Sequence, residues 1–262
     1  MIRSATQTDY AAFATLFREL ALDDPAPSVE RWTSGIANDT LISERDGLVD
    51  GYVTFYALRD AGHVRNLVVA PAARNAGIGV RLMRAAADAL RARGVSEWRL
   101  NVKRDNATAI KLYEGLGMRV EHRSTVLRVR WSELDRLPGE PATAMPVDPD
   151  EDDDIERALG LLSGQIAMGR VRGNRVLAQL RDAECAPVGF AMFDPELGAK
   201  PFRVARPDLA ATLCEALRPH ATLDWIQLVA ENDTPLVEWF IAAGAEVRLE
   251  LLHYRGTLQG VR

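Results

Sequence analysis

Only two cysteines, Cys185 and Cys214, occur in the 262 residues of the chain. A small scaffold stapled by disulfides is thereby excluded. Lysine is scarce as well, occurring only at positions 103, 111 and 200, so arginine carries the basic charge. Together with abundant alanine, that bias is read as genomic composition before it is read as function. No apolar run is long enough to cross a bilayer, and no charged-then-apolar leader opens the chain. The expectation is a reduced, cytoplasmic setting without a membrane partner. A net charge of −5 has the wrong sign for bulk binding to a polyanion, so no nucleic-acid partner is expected. Metal-ligand spacing is missing too: His122, His220 and His253 stand far apart in the sequence, and no metal is expected.

What is present suits a globular protein. The chain is 47% hydrophobic and 26% charged, enough to bury a core in one large domain or two ordinary ones. Prolines 138, 141, 146 and 149 punctuate the middle, followed by an acidic run over 150–154. Proline at that spacing continues neither a helix nor a central strand. Residues 137–150 are therefore read as a linker between domains at 1–136 and 151–262. The acidic run also suits the first turn of a helix continuing to Leu162. A calcium loop lacks its alternating ligands and glycine there.

In the first half, Ile2 opens a short strand and Thr6 caps a helix running to Leu20. Ser28 opens a second helix. Strands over 41–44 and 52–58 are joined through Asp46-Gly47, a hairpin signal. A strand over 63–69 leads to a helix over 78–93, stopped by Gly94. A strand over 97–102, a helix over 108–116 and a strand over 118–129 complete the half. This order predicts a three-layer α/β domain with a mixed sheet, antiparallel in front and parallel in the middle.

The segment from His63 to Gly79 carries chemistry. A strand is followed by a turn at Ala70-Pro71, then by Arg74-x-x-Gly77-x-Gly79 at a helix start. The first N–H groups of a helix lack internal partners, and the helix dipole makes that end positive. Glycine lets an anion approach the backbone, and Arg74 adds charge-assisted hydrogen bonds. Packing alone also accounts for two glycines at a helix start. A P-loop would need Lys-Ser/Thr after its last glycine, and Val80 stands there. A dinucleotide fingerprint needs a third glycine.

Farther on come Asn101-x4-Asn106 and then Ala109, Leu112, Tyr113 and Gly117. The two segments together resemble the GNAT superfamily of N-acetyltransferases, over roughly residues 2–130 and most sharply over 63–120. The resemblance implies acetyl-CoA as co-substrate and a small-molecule amine or a peptide as acceptor. The backbone of Asn75, Ala76, Gly77, Ile78 and Gly79 would hold its pyrophosphate, beside Arg74. The strand backbone at Leu67, Val68 and Val69 would pair with the pantetheine arm. Asn106 would reach the cofactor, and Tyr113 would stand beside the thioester sulfur as general acid for the departing thiolate. From spacing alone, Tyr113 reads equally well as a core aromatic. A backbone N–H near Val69 would stabilise the oxyanion.

No carboxylate stands on the 63–69 strand, where many relatives keep a basic glutamate. His63 is a candidate base or a plain surface histidine. Asp60, Glu30 and Glu44 are further candidates without geometric support.

The second half echoes the first. An offset of 127 residues sets Gly117 on Gly244, Tyr113 on Phe240 and Leu90 on Leu217. Strands over 176–180 and 188–193 fit the same plan. Two tandem domains of one architecture are expected. At that offset Pro201, Val204 and Arg206 replace Arg74, Gly77 and Gly79. The second domain is thus expected to be degenerate and non-catalytic, covering the substrate side or mediating a homodimer. Trp225, Trp239, Phe240 and Tyr254 read as core aromatics. The rival to an enzyme is a catalytically decayed acyl-CoA-binding or scaffolding module.

Overall fold

The computed structural model describes the chain apart from residues 22–24, 60, 136, 138–141, 172–174 and 262. Two compact units emerge. Unit 1 is Met1–Glu121 with His253–Arg262, and unit 2 is His122–Leu252. No described helix is long and apolar enough to cross a membrane.

Unit 1 begins with β1 (Ile2–Ser4), α1 (Tyr10–Phe17) and α2 (Val29–Arg31). Then come β2 (Thr40–Arg45), β3 (Leu48–Ala57), β4 (Gly62–Val69), α3 (Ile78–Ala92), β5 (Glu97–Lys103) and α4 (Ala107–Gly115). The hairpin at Asp46-Gly47 is present, with both residues at positive φ (52° and 75°). That geometry matches the right-handed twist of the flanking strands. β1 to β4 run antiparallel in sequence order, and β4 pairs with β5 in parallel.

Helices cover both faces of this sheet. Neighbouring residues of β3 show it, because strand side chains alternate. A Cβ at Gly51 would meet Ile78 and Leu82 of α3. Tyr52, next along, meets Phe13 of α1 at 4.9 Å between ring centroids. Ile78, Leu82, Met83, Ala86, Ala87 and Leu90 are the buried stripe of α3. Its last turn sits hard on β4: a Cβ at Gly62 would lie 2.5 Å from Leu90. A side chain there would force Leu90 to shift within the core.

An ion cluster pins the start of the unit. Asp9 accepts from both terminal nitrogens of Arg3 at 2.8 Å, and from Thr6 N at 2.7 Å and Thr6 Oγ1 at 2.8 Å. The Arg3 guanidinium holds the Asp9 carboxyl well below the usual carboxylate range. A depressed pKa contributes stability above the unfolded value of about 4 and loses it as pH falls below that. Asp9→Ala is expected to cost about 2 kcal/mol at pH 7, with the difference from wild type shrinking below about pH 4. Urea titrations at pH 7 and pH 3 check it; equal differences at both would refute this linkage.

Unit 2 holds β6 (Arg119–Arg130) from His122 on, then α5 (Trp131–Leu134), β7 (Thr143–Pro146), α6 (Asp152–Ala158), α7 (Gln165–Val171), β8 (Val176–Arg181) and β9 (Pro187–Asp194). β10 (Gly198–Val204), α8 (Leu209–Leu217), β11 (Trp225–Glu231), α9 (Thr234–Ala242) and β12 (Glu246–Thr257) follow, the last ending in unit 1. Its sheet runs β6-β11-β10-β9-β8-β7. It too is layered: Phe190 and Met192 of β9 pack with Ile155 and Ile166, while Ala191 and Phe193 pack with Leu209 and Leu213.

The compact units do not follow the sequence division. β6 pairs with β11 from Ser124 to Arg130, so a strand that reads as the end of the first half lies in unit 2. Conversely, the chain from His253 on lies in unit 1, where the end of β12 lies beside β5. Local alternation cannot tell such strands apart, since β6 and β12 are equivalent at the 127-residue offset.

The segment 137–150 also differs from a plain linker. Thr143–Pro146 forms β7, antiparallel to β8. It is the edge strand, which is where a sheet tolerates proline. Pro149 sits in a 3-10 turn capped by Asp148, whose Oδ1 accepts from Asp150 N at 3.0 Å. Pro138 and Pro141 lie outside the described residues. α6 stops at Ala158, short of Leu162, and its carboxylates are engaged: Asp152 pairs with Arg170 at 2.7 Å, and Glu156 accepts from Gly164 N and Ile166 N.

Candidate active site

β4 makes the site by leaving its neighbour. It pairs with β5 only from Gly62 to Val64, opposite Trp98 to Leu100. The departure coincides with a bulge, because Thr54 faces Asn66 but Phe55 faces Val64, leaving Arg65 as the extra residue. A bulge bends its strand and strengthens the twist. From there to Val69 the β5 side of β4 has no strand partner.

The register fixes which peptide groups face this opening. Ala70 N donates to Asp50 O at 2.9 Å. Bonded and non-bonded pairs alternate along an antiparallel ladder. Val68, opposite Tyr52, therefore turns its N–H and C=O to β3, while Leu67 and Val69 turn theirs to the opening. Of the three backbone positions expected to meet the pantetheine arm, the structure presents Leu67 and Val69 and commits Val68 to the sheet.

The cradle stands at the end of β4. Pro71–Ala73 forms one 3-10 turn, Asn75 and Gly77 take left-handed backbone (φ 64° and 73°), and α3 begins at Ile78. The first internal bond of the helix is Arg81 N to Gly77 O, so the N–H groups of Ile78, Gly79 and Val80 lack helical partners. A Cβ at Gly79 would come within 2.9 Å of Leu112 and 3.9 Å of Leu67 and Val69. The cradle thus borders both β4 and α4. At Gly77 a Cβ would meet only the Arg81 guanidinium at an ordinary contact distance, and what fixes glycine there is φ.

The arginines differ from the sequence reading. Arg74 donates Nε to Val69 O at 3.2 Å and Nη2 to Glu19 at 2.7 Å, so its guanidinium is engaged with the turn after α1. Arg81, which the sequence reading did not single out, donates to Ala76 O at 3.0 Å and lies 3.6 Å from the Cβ position of Gly77. Its place on the first turn of α3 was the available signal. Lys103, the last residue of β5, donates to Leu20 O at 3.1 Å and Ala21 O at 2.7 Å. The turn over 18–21 is therefore gripped from both strand ends: by Arg74 after β4 and by Lys103 on β5.

α4 supplies the remaining predicted residues. Asn106 is its N-cap, with Oδ1 accepting from Ala109 N at 3.1 Å. Part of the side chain thus serves the helix, and its amide nitrogen is turned to no helical group. Tyr113 is the one buried residue of α4, and burial pushes its phenol up to about 12. It stays protonated across the neutral range, as an acid must. Its ring packs against Tyr254 at 6.1 Å.

The candidate bases fall elsewhere. His63 stacks on Tyr56 at the paired end of β4, opposite Arg99. Six residues at about 3.3 Å each put it about 20 Å along the strand from Val69. Glu44 is bound to Arg3 at 2.7 Å, Glu30 is exposed on α2, and Asp60 lies outside the described residues.

Unit 2 repeats the frame without the cradle. α4 and α9 coincide at the 127-residue offset, as do β6 and β12. Even the caps match: Asp233 accepts from Leu236 N at 3.0 Å as Asn106 does from Ala109 N. Upstream the offset breaks. Pro201 and Val204 lie within β10, not in a connection, so they are not the counterparts of Arg74 and Gly77. The actual connection to α8 is 205–208, with no glycine, against 70–77 in unit 1. α8 starts at Leu209, the counterpart of Leu82, so the first turn is missing. Arg203 of β10 pairs with Glu231 of β11 where those strands separate. Phe240, fully buried, occupies the place of Tyr113.

Comparison with known proteins agrees with this frame. Residues 8–118 match the sequence model of the acetyltransferase (GNAT) family. The match lies within the first half of the chain. No curated protein sequence matches it. Among solved structures, a GCN5-related N-acetyltransferase from Sphaerobacter thermophilus is similar at 17% identity and TM-score 0.70, over 98% of this chain and 95% of that one. An acetyltransferase-like protein from Pyrococcus horikoshii is similar at 17% identity and TM-score 0.76, over 98% and 89%. A tandem GNAT protein of the clavulanic acid biosynthesis pathway is similar at 16% identity and TM-score 0.63, over 98% and 99%. The chain has the fold of these proteins along nearly its whole length, and the segment 8–118 matches the model of an acetyltransferase family.

Proposed function

We propose that the chain transfers an acetyl group from acetyl-CoA to a primary amine, by direct attack in a ternary complex, at the opening between β4 and β5. The observation that carries this reading is the separation of β4 from β5 beyond Val64, with a glycine cradle at its end. The opening suits an extended chain with amide groups, and the cradle suits a pyrophosphate.

Acetyl-CoA supplies a thioester carbonyl open to a neutral amine, and a thiolate to leave. The N–H groups of Ile78, Gly79 and Val80 hold its diphosphate, beside Arg81. Leu67 and Val69 bond its amide groups from the strand edge. The Val69 N–H faces the opening and stabilises negative charge growing on the carbonyl oxygen. The Tyr113 hydroxyl gives its proton to the departing sulfur. β4 carries no carboxylate to take up the proton of the amine.

The second unit takes no part in this chemistry: its short β10–α8 connection, the Arg203–Glu231 pair and Phe240 support a non-catalytic role. The missing carboxylate on β4 also favours a second reading, an acyl-CoA-binding module without turnover. Release of free CoA thiol from acetyl-CoA, measured over a panel of polyamines, amino acids, aminoglycosides and peptide N-termini, separates the two. Amine-dependent release with at least one class is expected. Release at the same rate with and without every amine would favour the module.

A further inference from the structure

Tyr113 owes its burial to something other than its own helix. α4 is exposed along most of its length, and Tyr113 is its one buried side chain. The aromatic ring packed against it belongs to Tyr254, near the far end of the chain, with centroids 6.1 Å apart and planes inclined by 54°. Tyr254 is itself buried, and its hydroxyl donates to Glu114 Oε1 at 3.1 Å, one residue along from Tyr113. Three points therefore fix this ring against α4: its own burial, the ring contact and the carboxylate.

The segment that delivers Tyr254 is fastened all along unit 1. Arg255 binds Glu97 through Nε and Nη2 at 2.7–3.0 Å, and Glu121 at 3.3 Å. Gly256 lies so close to β5 that a Cβ there would stand 2.9 Å from the Trp98 indole nitrogen. Leu258 N donates to Ser96 O, and Arg91 of α3 donates to Leu258 O and Val261 O at 2.8–2.9 Å. The clamp reaches α3, β5 and α4, which are the elements that carry the cradle, the opening and the acid.

We infer that Tyr254 is a positioning residue for the acid of unit 1, its ring forming the wall that keeps the Tyr113 phenol dry and in place. The C-terminal segment is thereby a working part of the N-terminal site. A dry phenol resists ionisation, in keeping with the upward displacement of Tyr113. This deepens the proposed function and rests on it for the role of Tyr113, although the wall itself is testable without any substrate.

The test is NMR titration of the full chain carrying [13Cζ]tyrosine, from pH 7 to 11. In the wild type, Tyr113 stays mostly in its phenol form at pH 11, and its ring protons show a nuclear Overhauser effect to those of Tyr254. In Tyr254→Leu the wall is opened, and the Tyr113 midpoint falls from about 12 toward the ordinary 10.0. In Tyr254→Phe the ring remains and the midpoint holds. Tyr52, whose phenol burial also pushes up, serves as the folding control, because it ionises with the others only if unit 1 unfolds. An unchanged Tyr113 midpoint in a folded Tyr254→Leu overturns the inference. If the leucine variant fails to fold, the absence of the wild-type Overhauser effect, or a lowered midpoint in Tyr254→Phe, overturns it. Failure of the acid reading looks different: Tyr113→Phe would then turn over normally while the coupling between the two rings persisted.

Discussion

Tyr113→Phe is expected to lower kcat about 100-fold or more with the best acceptor, the scale of a lost general acid. The substitution removes one hydroxyl and leaves the buried ring, so the fold and acetyl-CoA affinity are expected to hold. The pH profile gives a second arm. The protonated phenol is the active form, and burial places its ionisation at about 12. kcat in the wild type is therefore expected to stay level on the alkaline side through about pH 11. Steady-state kinetics from pH 6 to 10.5 check both arms. An unchanged kcat in the phenylalanine variant would leave Tyr113 as a core aromatic.

Gly77→Glu is expected to weaken acetyl-CoA at least about 100-fold, or about 2.7 kcal/mol. Two effects add. The backbone there has φ 73°, a conformation costing an ordinary residue about 1 kcal/mol or more. A carboxylate at the positive end of α3 also repels the diphosphate that the free N–H groups would hold. Gly77→Asn separates the two, because asparagine tolerates left-handed backbone, as Asn75 does two residues earlier. It is expected to bind within about 10-fold of wild type. Calorimetry on the three proteins decides: equal affinities in all would remove the cradle from the account.

Much of this site was legible because its parts are local. Strand, turn, glycines and helix follow one another from His63 to Ala92, and each has its own residue signal. Asp46-Gly47 announces its hairpin for the same reason. The bulge at Arg65 left no such signal, since an extra residue in a strand looks like any other. It is nevertheless what parts β4 from β5, and it decides that Leu67 and Val69 face the opening while Val68 does not. The Arg74–Glu19 pair left no signal, because the two residues lie 55 positions apart. In the second half, one fixed offset carried the comparison correctly from Leu209 onward and wrongly before it, where the β10–α8 connection is shorter. Loop length is set by tertiary packing, and no residue type marks a deletion.

The least legible feature is the compact unit to which the ends of β6 and β12 belong. β6 and β12 have similar alternation, so nothing in either pattern says which sheet it joins. Tyr254 read as a core aromatic of the second domain for that reason. It is a buried aromatic, but of unit 1 and against Tyr113. Residues that act through a neighbour far along the chain carry no spacing motif, and only the folded arrangement brings them together.

The central claim is a single acetyl-CoA site per chain, built on β4 and α3 of the N-terminal unit. Calorimetric titration of acetyl-CoA into the full wild-type chain tests it directly. Saturable binding with one equivalent per chain is predicted. No binding would contradict the cradle and the function drawn from it, and two equivalents would contradict the assignment of unit 2 as non-binding.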